Sequence, residues 1–413
     1  MLTKLFRQSA IPREYQSNFL HLYFDVGWVG VLSGSTVSFL SIYAIRIGAT
    51  SLQIGLLGAI SALVTLFLAI PAGHWLQTQQ TSRAVFLTAS LSRIGYLPLV
   101  FLPWLFPERG QILTILVLTL LMAIPLTPVG VGFNALFAEA VPSEYRAHVA
   151  GIRNVMLSIT FMFTSLLSGY ILDTVRFPLG YQIVFAIGTL GAAMSSLHLR
   201  FVRPIASETP LVSADPNEKS GSRRNIFSSL RMDIWKTPFQ RVLLTLFAFH
   251  LTQYLPIPIF GIYNVRVLQL TDDNLGVGTA LFYLAVLLGS TQIRKLVQRF
   301  GNRNITGWSI AGLALYPFFL SLSSNALHFY GVSLIGGLAF AFVSGTLANY
   351  MLEHIPAHDR PSHLAWYTII LNAAILIGSL AGPAISDMIG LSSALILFAV
   401  LRMLAAAFIL RRG

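Results

Sequence analysis

RFVRPIASETPLVSADPNEKSGSRRNIFSSLRMDIWKTPFQR, from Arg200 to Arg241, is the hydrophilic middle of an otherwise apolar chain. These 42 residues hold 12 of the chain's 42 charged side chains. The 199 residues before it and the 172 after it are almost entirely apolar. The stretch therefore reads as a bridge between two membrane-embedded halves. Working outward, the sequence predicts residues 1–200 as one six-helix bundle, 201–240 as a linker and 241–413 as a second six-helix bundle.

Composition supports this division. Mean hydropathy is +0.72 and charged residues make up 10% of the chain, against about 25% in a soluble globule. Apolar runs of 18 or more residues read as membrane spans. Twelve are predicted, at roughly 18–44, 54–76, 84–106, 112–137, 149–171, 181–200, 241–263, 275–297, 305–324, 328–351, 364–386 and 391–410. The fold class is an all-α membrane protein with twelve transmembrane helices in two pseudo-symmetric bundles. No secretory leader is expected, because the first apolar run is too long and lacks a small-residue cleavage site. The net charge of +12 could suggest nucleic acid, but the charges sit in short loops, so topology is the reading and no nucleic-acid partner is expected. With no cysteine, disulfides and thiolate chemistry are excluded.

Lys and Arg set the orientation. With the N-terminus inside, outward loops carry only Arg46, Arg109, Arg176 and Arg266. Arg93, Arg153 and Arg402 fall within spans, and the other 20 basic residues lie inside or at the inner rim. Both termini and the linker are expected to be cytoplasmic, in a plasma (inner) membrane.

The chain also repeats. YAIRIGATSLQIG (Tyr43–Gly55) is matched by YNVRVLQLTDDNLG (Tyr263–Gly276), EAVPSEYR (Glu139–Arg146) by EHIPAHDR (Glu353–Arg360), and SLLSGYILD (Ser165–Asp173) by SLAGPAISD (Ser379–Asp387). Three matched sites in one order make the halves structural repeats. Six spans is an even number, so both halves enter from the same side, with an axis along the membrane normal and a site between them.

The whole chain resembles the major facilitator superfamily of transporters. Between spans 2 and 3, Gly73 matches the leading glycine of that family's inner-loop motif, with Gln77 at the acid position and Gln80 at the second glycine. The second copy, LVQRFGNR (Leu296–Arg303), keeps Arg299, Gly301 and Arg303, with Gln298 at the acid position. The resemblance implies an inner gate at these loops, weakened because Gln can only hydrogen-bond. The Glu139–Arg146 and Glu353–Arg360 loops are expected to pair across the same gate.

Asp25 is the one carboxylate well inside a span. A charge at mid-bilayer costs about 2.5 kcal/mol or more and usually faces a cavity or a partner. Two readings stand: a proton carrier, or an ion pair with Arg153 and Arg93, with the pair favoured because two cations are at hand. Arg402 is expected to snorkel to the inner surface. Spans 1, 4, 7 and 10 line the cavity in the resembled family. The candidate substrate residues are accordingly Trp28, Ser35 and Thr36 in span 1, Thr127 and Asn134 in span 4, His250, Gln253, Tyr254 and Asn264 in span 7, and Ser344 in span 10. His250, Gln253 and Tyr254 share a helical face, and His250 could titrate near neutrality. His354, His358 and His363 are read as loop histidines rather than a metal site, because Pro356 and Pro361 break any shared face.

No phosphate-cradling loop is present. The leading expectation is thus a secondary active transporter of a small neutral or amphipathic organic solute, with proton-coupled export favoured. It would act as a monomer among membrane lipids, not as an enzyme, and with no cofactor. A flippase for lipids or lipid-linked sugars and a non-transporting sensor or scaffold remain the alternatives.

Overall fold

A computed structural model describes residues 12–205, 231–355 and 359–412. Twelve long helices follow one another: α1 (Tyr15–Arg46), α2 (Ser51–Gln77), α3 (Thr81–Leu105), α4 (Glu108–Ala140), α5 (Arg146–Thr174), α6 (Leu179–Arg200), α7 (Phe239–Val267), α8 (Asp272–Ser290), α9 (Ile293–Ser321), α10 (Ala326–Glu353), α11 (Arg360–Ile389) and α12 (Leu391–Arg412). Eleven are long and apolar enough to cross a bilayer. The remaining one, α9, begins with Arg294, Lys295, Gln298 and Arg299, which dilute its hydropathy. The eighth span differs from expectation. It ends at Ser290, and residues 293–300 form a separate basic turn of helix joined to the rest of α9 at Gly301, whose φ of 78° only glycine adopts without strain.

Local chemistry starts and breaks these rods. Thr50 caps α2 in a reciprocal box with Gln53, and Thr271 caps α8 through Asn274 N–H. The two caps stand at matching places in the sequence repeat. A π turn, Ser33–Val37, interrupts α1, and another, Tyr263–Val267, ends α7. Pro256 and Pro258 break α7 after Tyr254, because proline supplies no N–H to the turn before it.

α1 to α6 pack on one another, as do α7 to α12, and the halves meet mainly as α5 on α8 and α2 on α11. Glycine makes the closest approaches possible. A Cβ on Gly169 would stand 2.9 Å from Asp272 O, and one on Gly276 would stand 2.6 Å from Ser165 O. Large apolar side chains such as Phe67, Leu113, Phe163 and Leu327 point outward, where lipid takes the place that a protein core takes in water.

The core is shared only at one end. One apolar cluster joins Phe39, Tyr43 and Phe185 to Ile259, Tyr263 and Phe329, and so crosses between the halves. It lies at the face opposite the termini, here called the distal face. Toward the terminal face the halves keep separate clusters, one around Phe19, Leu136 and Val149 and another around Phe239, Tyr350 and Ile370. The ends of the predicted linker are docked. Val202 is buried in the first of these terminal clusters and Ile234 in the second, and Arg203 N–H and carbonyl both bond Asn18.

Candidate functional site: the seam between the halves

The sequence repeats converge on the distal seam. Arg46 at the end of α1 donates to Asp272 Oδ1 (2.8 and 3.0 Å) and to Leu270 O (3.1 Å) at the start of α8. Its counterpart Arg266 donates to Ala49 O (2.5 Å), just before α2. Each arginine thus reaches the loop of the other half. Tyr181 donates to the second oxygen of Asp272 (2.9 Å), and Ser51 donates to Asp387 (2.9 Å). Charge-assisted bonds of this kind are the stronger class. Asp272 and Tyr181 were not singled out from sequence, although Asp272 lies inside the quoted repeat and follows the Thr271 cap.

A cavity of about 420 Å³ lies beneath this seam. Ser38 and Ser41 of α1, Asn264 of α7, Thr279 of α8 and Ser333 of α10 supply polar atoms. Phe161 and Tyr283, stacked with ring centroids 3.9 Å apart, wall it across the two halves. Asn264 is 6% exposed, and among the described residues its Oδ1 has no hydrogen-bond partner. Among the described residues, none of the lining side chains carries a charge.

The other candidate cavity residues divide. His250 Nε2 meets Tyr367 Oη at 3.1 Å, with Tyr254 beside it. Gln253 and Tyr254 are half-buried at the α7 break. Asn134 and Ser344 are exposed toward the terminal face. Trp28 is half-buried, with its backbone against Gly191 of α6. Ser35 and Thr36 correct the expectation. Both are fully buried against Gly188 of α6 in their own half, and they lie in the π turn, where an extra residue rotates the face presented by the helix. Thr127 is also buried, and its hydroxyl bonds Ala123 O of its own helix.

Asp25, Arg93 and Arg153 come together inside the first half. Asp25 is 2% exposed. It faces Arg153 at 3.4 Å and Arg93 at 3.8 Å, and accepts from Ser195 at 2.5 Å. Arg153 also donates to Leu22 O (2.7 Å) and sits over the ring of Phe133, and Arg93 donates to Ser196 (3.1 Å).

Arg402 does not snorkel. It is 2% exposed and bonds backbone carbonyls of α7 and α9.

In the first terminal-face loop, Glu139 and Arg146 use other partners than those expected. Glu139 accepts from Thr81 (2.8 Å), and Arg146 caps α4 through Val141 O and Ala138 O. Glu353 accepts from Asn302 (2.6 Å), while the Arg360 side chain and His358 lie outside the described residues. In both halves the glutamate at the end of one helix accepts from a side chain near the start of the helix before it. Gln77, Gln298 and Arg299 are exposed, and Arg299 lies over Phe300. His354 and His363 each bond a carbonyl four residues back.

Known proteins agree with this architecture. Among solved structures, a bacterial homologue of the iron transporter ferroportin in an inward-facing state superposes with a TM-score of 0.72 at 14% identity, covering 98% of this chain and 100% of that one. A mutant of the nucleoside transporter NupG gives 0.71 at 14%, covering 94% and 98%. The xylose transporter XylE from E. coli gives 0.68 at 16%, covering 95% and 96%. Among curated relatives, the Staphyloferrin B transporter of Staphylococcus aureus (strain NCTC 8325 / PS 47) is 25% identical over 183 residues, 43% of this chain and 44% of that one. Multidrug resistance protein 2 of Bacillus subtilis (strain 168) is 22% identical over 151 residues, 37% and 38%. The match thus spans less than half the length of these relatives. The family model of the Major Facilitator Superfamily matches residues 26–256 and 242–412. Two repeated six-helix halves joined at a reciprocal seam, with a family match that runs over nearly the whole chain, place this chain in the Major Facilitator Superfamily.

Proposed function

We propose that the protein exports a small neutral or amphipathic organic solute across the plasma membrane by alternating access, driven by an ion gradient. The carrying observation is the cavity beneath the seam, with aromatic walls, hydroxyl and amide groups and no charged lining residue. A charged solute would leave its counter-charge unmet there. The unpartnered Asn264 Oδ1 favours a solute that donates a hydrogen bond. The bias of Lys and Arg supports a cytoplasmic terminal face, so a core shared only at the distal end fits an inward-open state. The name of the Bacillus relative favours export. We assign Asp25 to a structural ion pair, since two guanidinium groups already surround its carboxylate, and we place the candidate coupling group at His250.

The test compares metabolites inside and outside cells that lack or overproduce the protein. One neutral solute class should accumulate inside on deletion and outside on overproduction. A reciprocal shift of polyanions alone, or no soluble shift at all, would overturn the reading. With that solute in proteoliposomes, His250→Gln should change the pH profile of flux and Asn264→Ala should raise KM.

A further inference from the structure

The role of Arg402 follows from two prolines that lie far from it in sequence. In a helix the N–H of residue i bonds the carbonyl of residue i−4. Pro256 has no N–H, so the carbonyl of Thr252 loses its helical partner. Pro317, inside α9, does the same to the carbonyl of Leu313. Arg402 of α12 donates to both of these carbonyls: Nη1 to Leu313 O at 3.0 Å and Nη2 to Thr252 O at 2.8 Å. Nη2 also reaches Gln253 O at 3.1 Å. Among the described residues, these carbonyls are its hydrogen-bond partners, and none is a carboxylate. The charge is favourably placed even so, because Thr252 and Gln253 close the segment Phe239–Tyr254, and the carbonyl end of a helix attracts a cation. Across the same break, Gly378 and Gly382 of α11 abut Tyr254 and Leu255, leaving no room for a Cβ.

We propose that Arg402 is a positioning residue for transport. Its guanidinium replaces the two hydrogen bonds deleted by Pro256 and Pro317, and so pins the break in α7 to α9 and α12. The helix that supplies Asn264 to the cavity can then be broken without leaving carbonyls bare in the membrane. Arginine suits the place because its rigid fork reaches two helices at once, whereas a lysine ammonium is a single point. The consequence for transport rests on the alternating-access reading; the clamp itself can be measured with no solute present.

The experiment uses the full chain in nanodiscs. Because the chain has no cysteine, spin labels go only where they are introduced, here by Leu244→Cys and Val267→Cys, exposed positions on either side of the break. Arg402→Met should broaden the distance distribution and lower the melting temperature by about 5 °C or more, and Arg402→Lys should recover less than half of both losses. In a Pro256→Ala/Pro317→Ala background the carbonyls regain N–H donors, so Arg402→Met should do at most half the damage. Equal damage in both backgrounds, or none in either, would overturn the proposal. If the double proline variant does not fold, Pro317→Ala alone carries the test through Leu313 O, and absence of any rescue there overturns the proposal equally. A clamp that holds in a protein that moves no solute would refute the transport reading and leave the clamp standing.

Discussion

The two halves house buried arginines in opposite ways. The first gathers Arg93 and Arg153 around Asp25, with Ser195 and Leu22 O completing the cluster. The second buries Arg402 against carbonyls alone. At the seam, by contrast, the halves answer each other: Arg46 reaches the α8 loop, Arg266 reaches the α2 loop, and Gly276 and Gly55 mark the tight crossings to α5 and α11. The repeat is thus retained where the halves meet. Inside each half it sets the path of the helices and the matching Glu139–Thr81 and Glu353–Asn302 ties, while the buried arginines are satisfied by different means.

The largest break in this comparison is Asp25→Ala. It leaves two guanidinium groups facing each other in a buried site, and breaking such a pair costs about 3–5 kcal/mol. Thermal unfolding of the purified protein should show this, with part of the loss restored in Asp25→Ala/Arg153→Met. Full stability in Asp25→Ala would remove the distinction between the halves.

A middle-sized effect is expected at the seam. Arg46→Ala removes charge-assisted bonds worth about 1.5–3 kcal/mol each. It should speed labelling of a single cysteine at Ser41 by an impermeant maleimide applied from the distal side. Arg266→Ala, which loses one bond to a neutral carbonyl, should speed labelling less. Equal effects would make the seam more symmetric than its contacts suggest.

Ser51→Ala deletes one hydroxyl bond to Asp387 and should cost about 1 kcal/mol, read as a small rise in the same labelling rate. The smallest effect is expected at the exposed pair Arg231–Asp233. Hydrogen bonds from Arg231 hold the Asp233 carboxyl below its ordinary range. Its contribution is therefore present above the unfolded carboxylate pKa and lost as pH falls through the lower folded value. Asp233→Asn should lower the melting temperature slightly at neutral pH and leave it unchanged at acid pH, where the carboxylate is already protonated, so that the acid limb flattens.

Much of the architecture was legible in the residues. Periodic hydropathy and length gave the helices, because in a bilayer every backbone group must be satisfied within its own segment. Asp25, Arg93 and Arg153 stood out because charges in apolar runs are rare. Other features were hidden. Ser35 and Thr36 look like cavity residues by spacing, but a π turn rotates them into the α6 contact. Tyr367, the partner of His250, lies 117 residues away, on a helix whose own pattern does not mark it.

By itself, then, the sequence determined the class, the twelve-helix path, the repeat and the positions where charge enters the membrane, since these follow from composition and periodicity along one chain. Tertiary structure alone decided which face is sealed, that Asp272 answers Arg46, that Glu139 bonds Thr81 rather than Arg146, and that Arg402 serves two distant prolines. Those outcomes depend on which helices come within hydrogen-bonding distance of one another. Glycine contacts and the small rotations of broken turns set that distance, and neither leaves a period in the sequence.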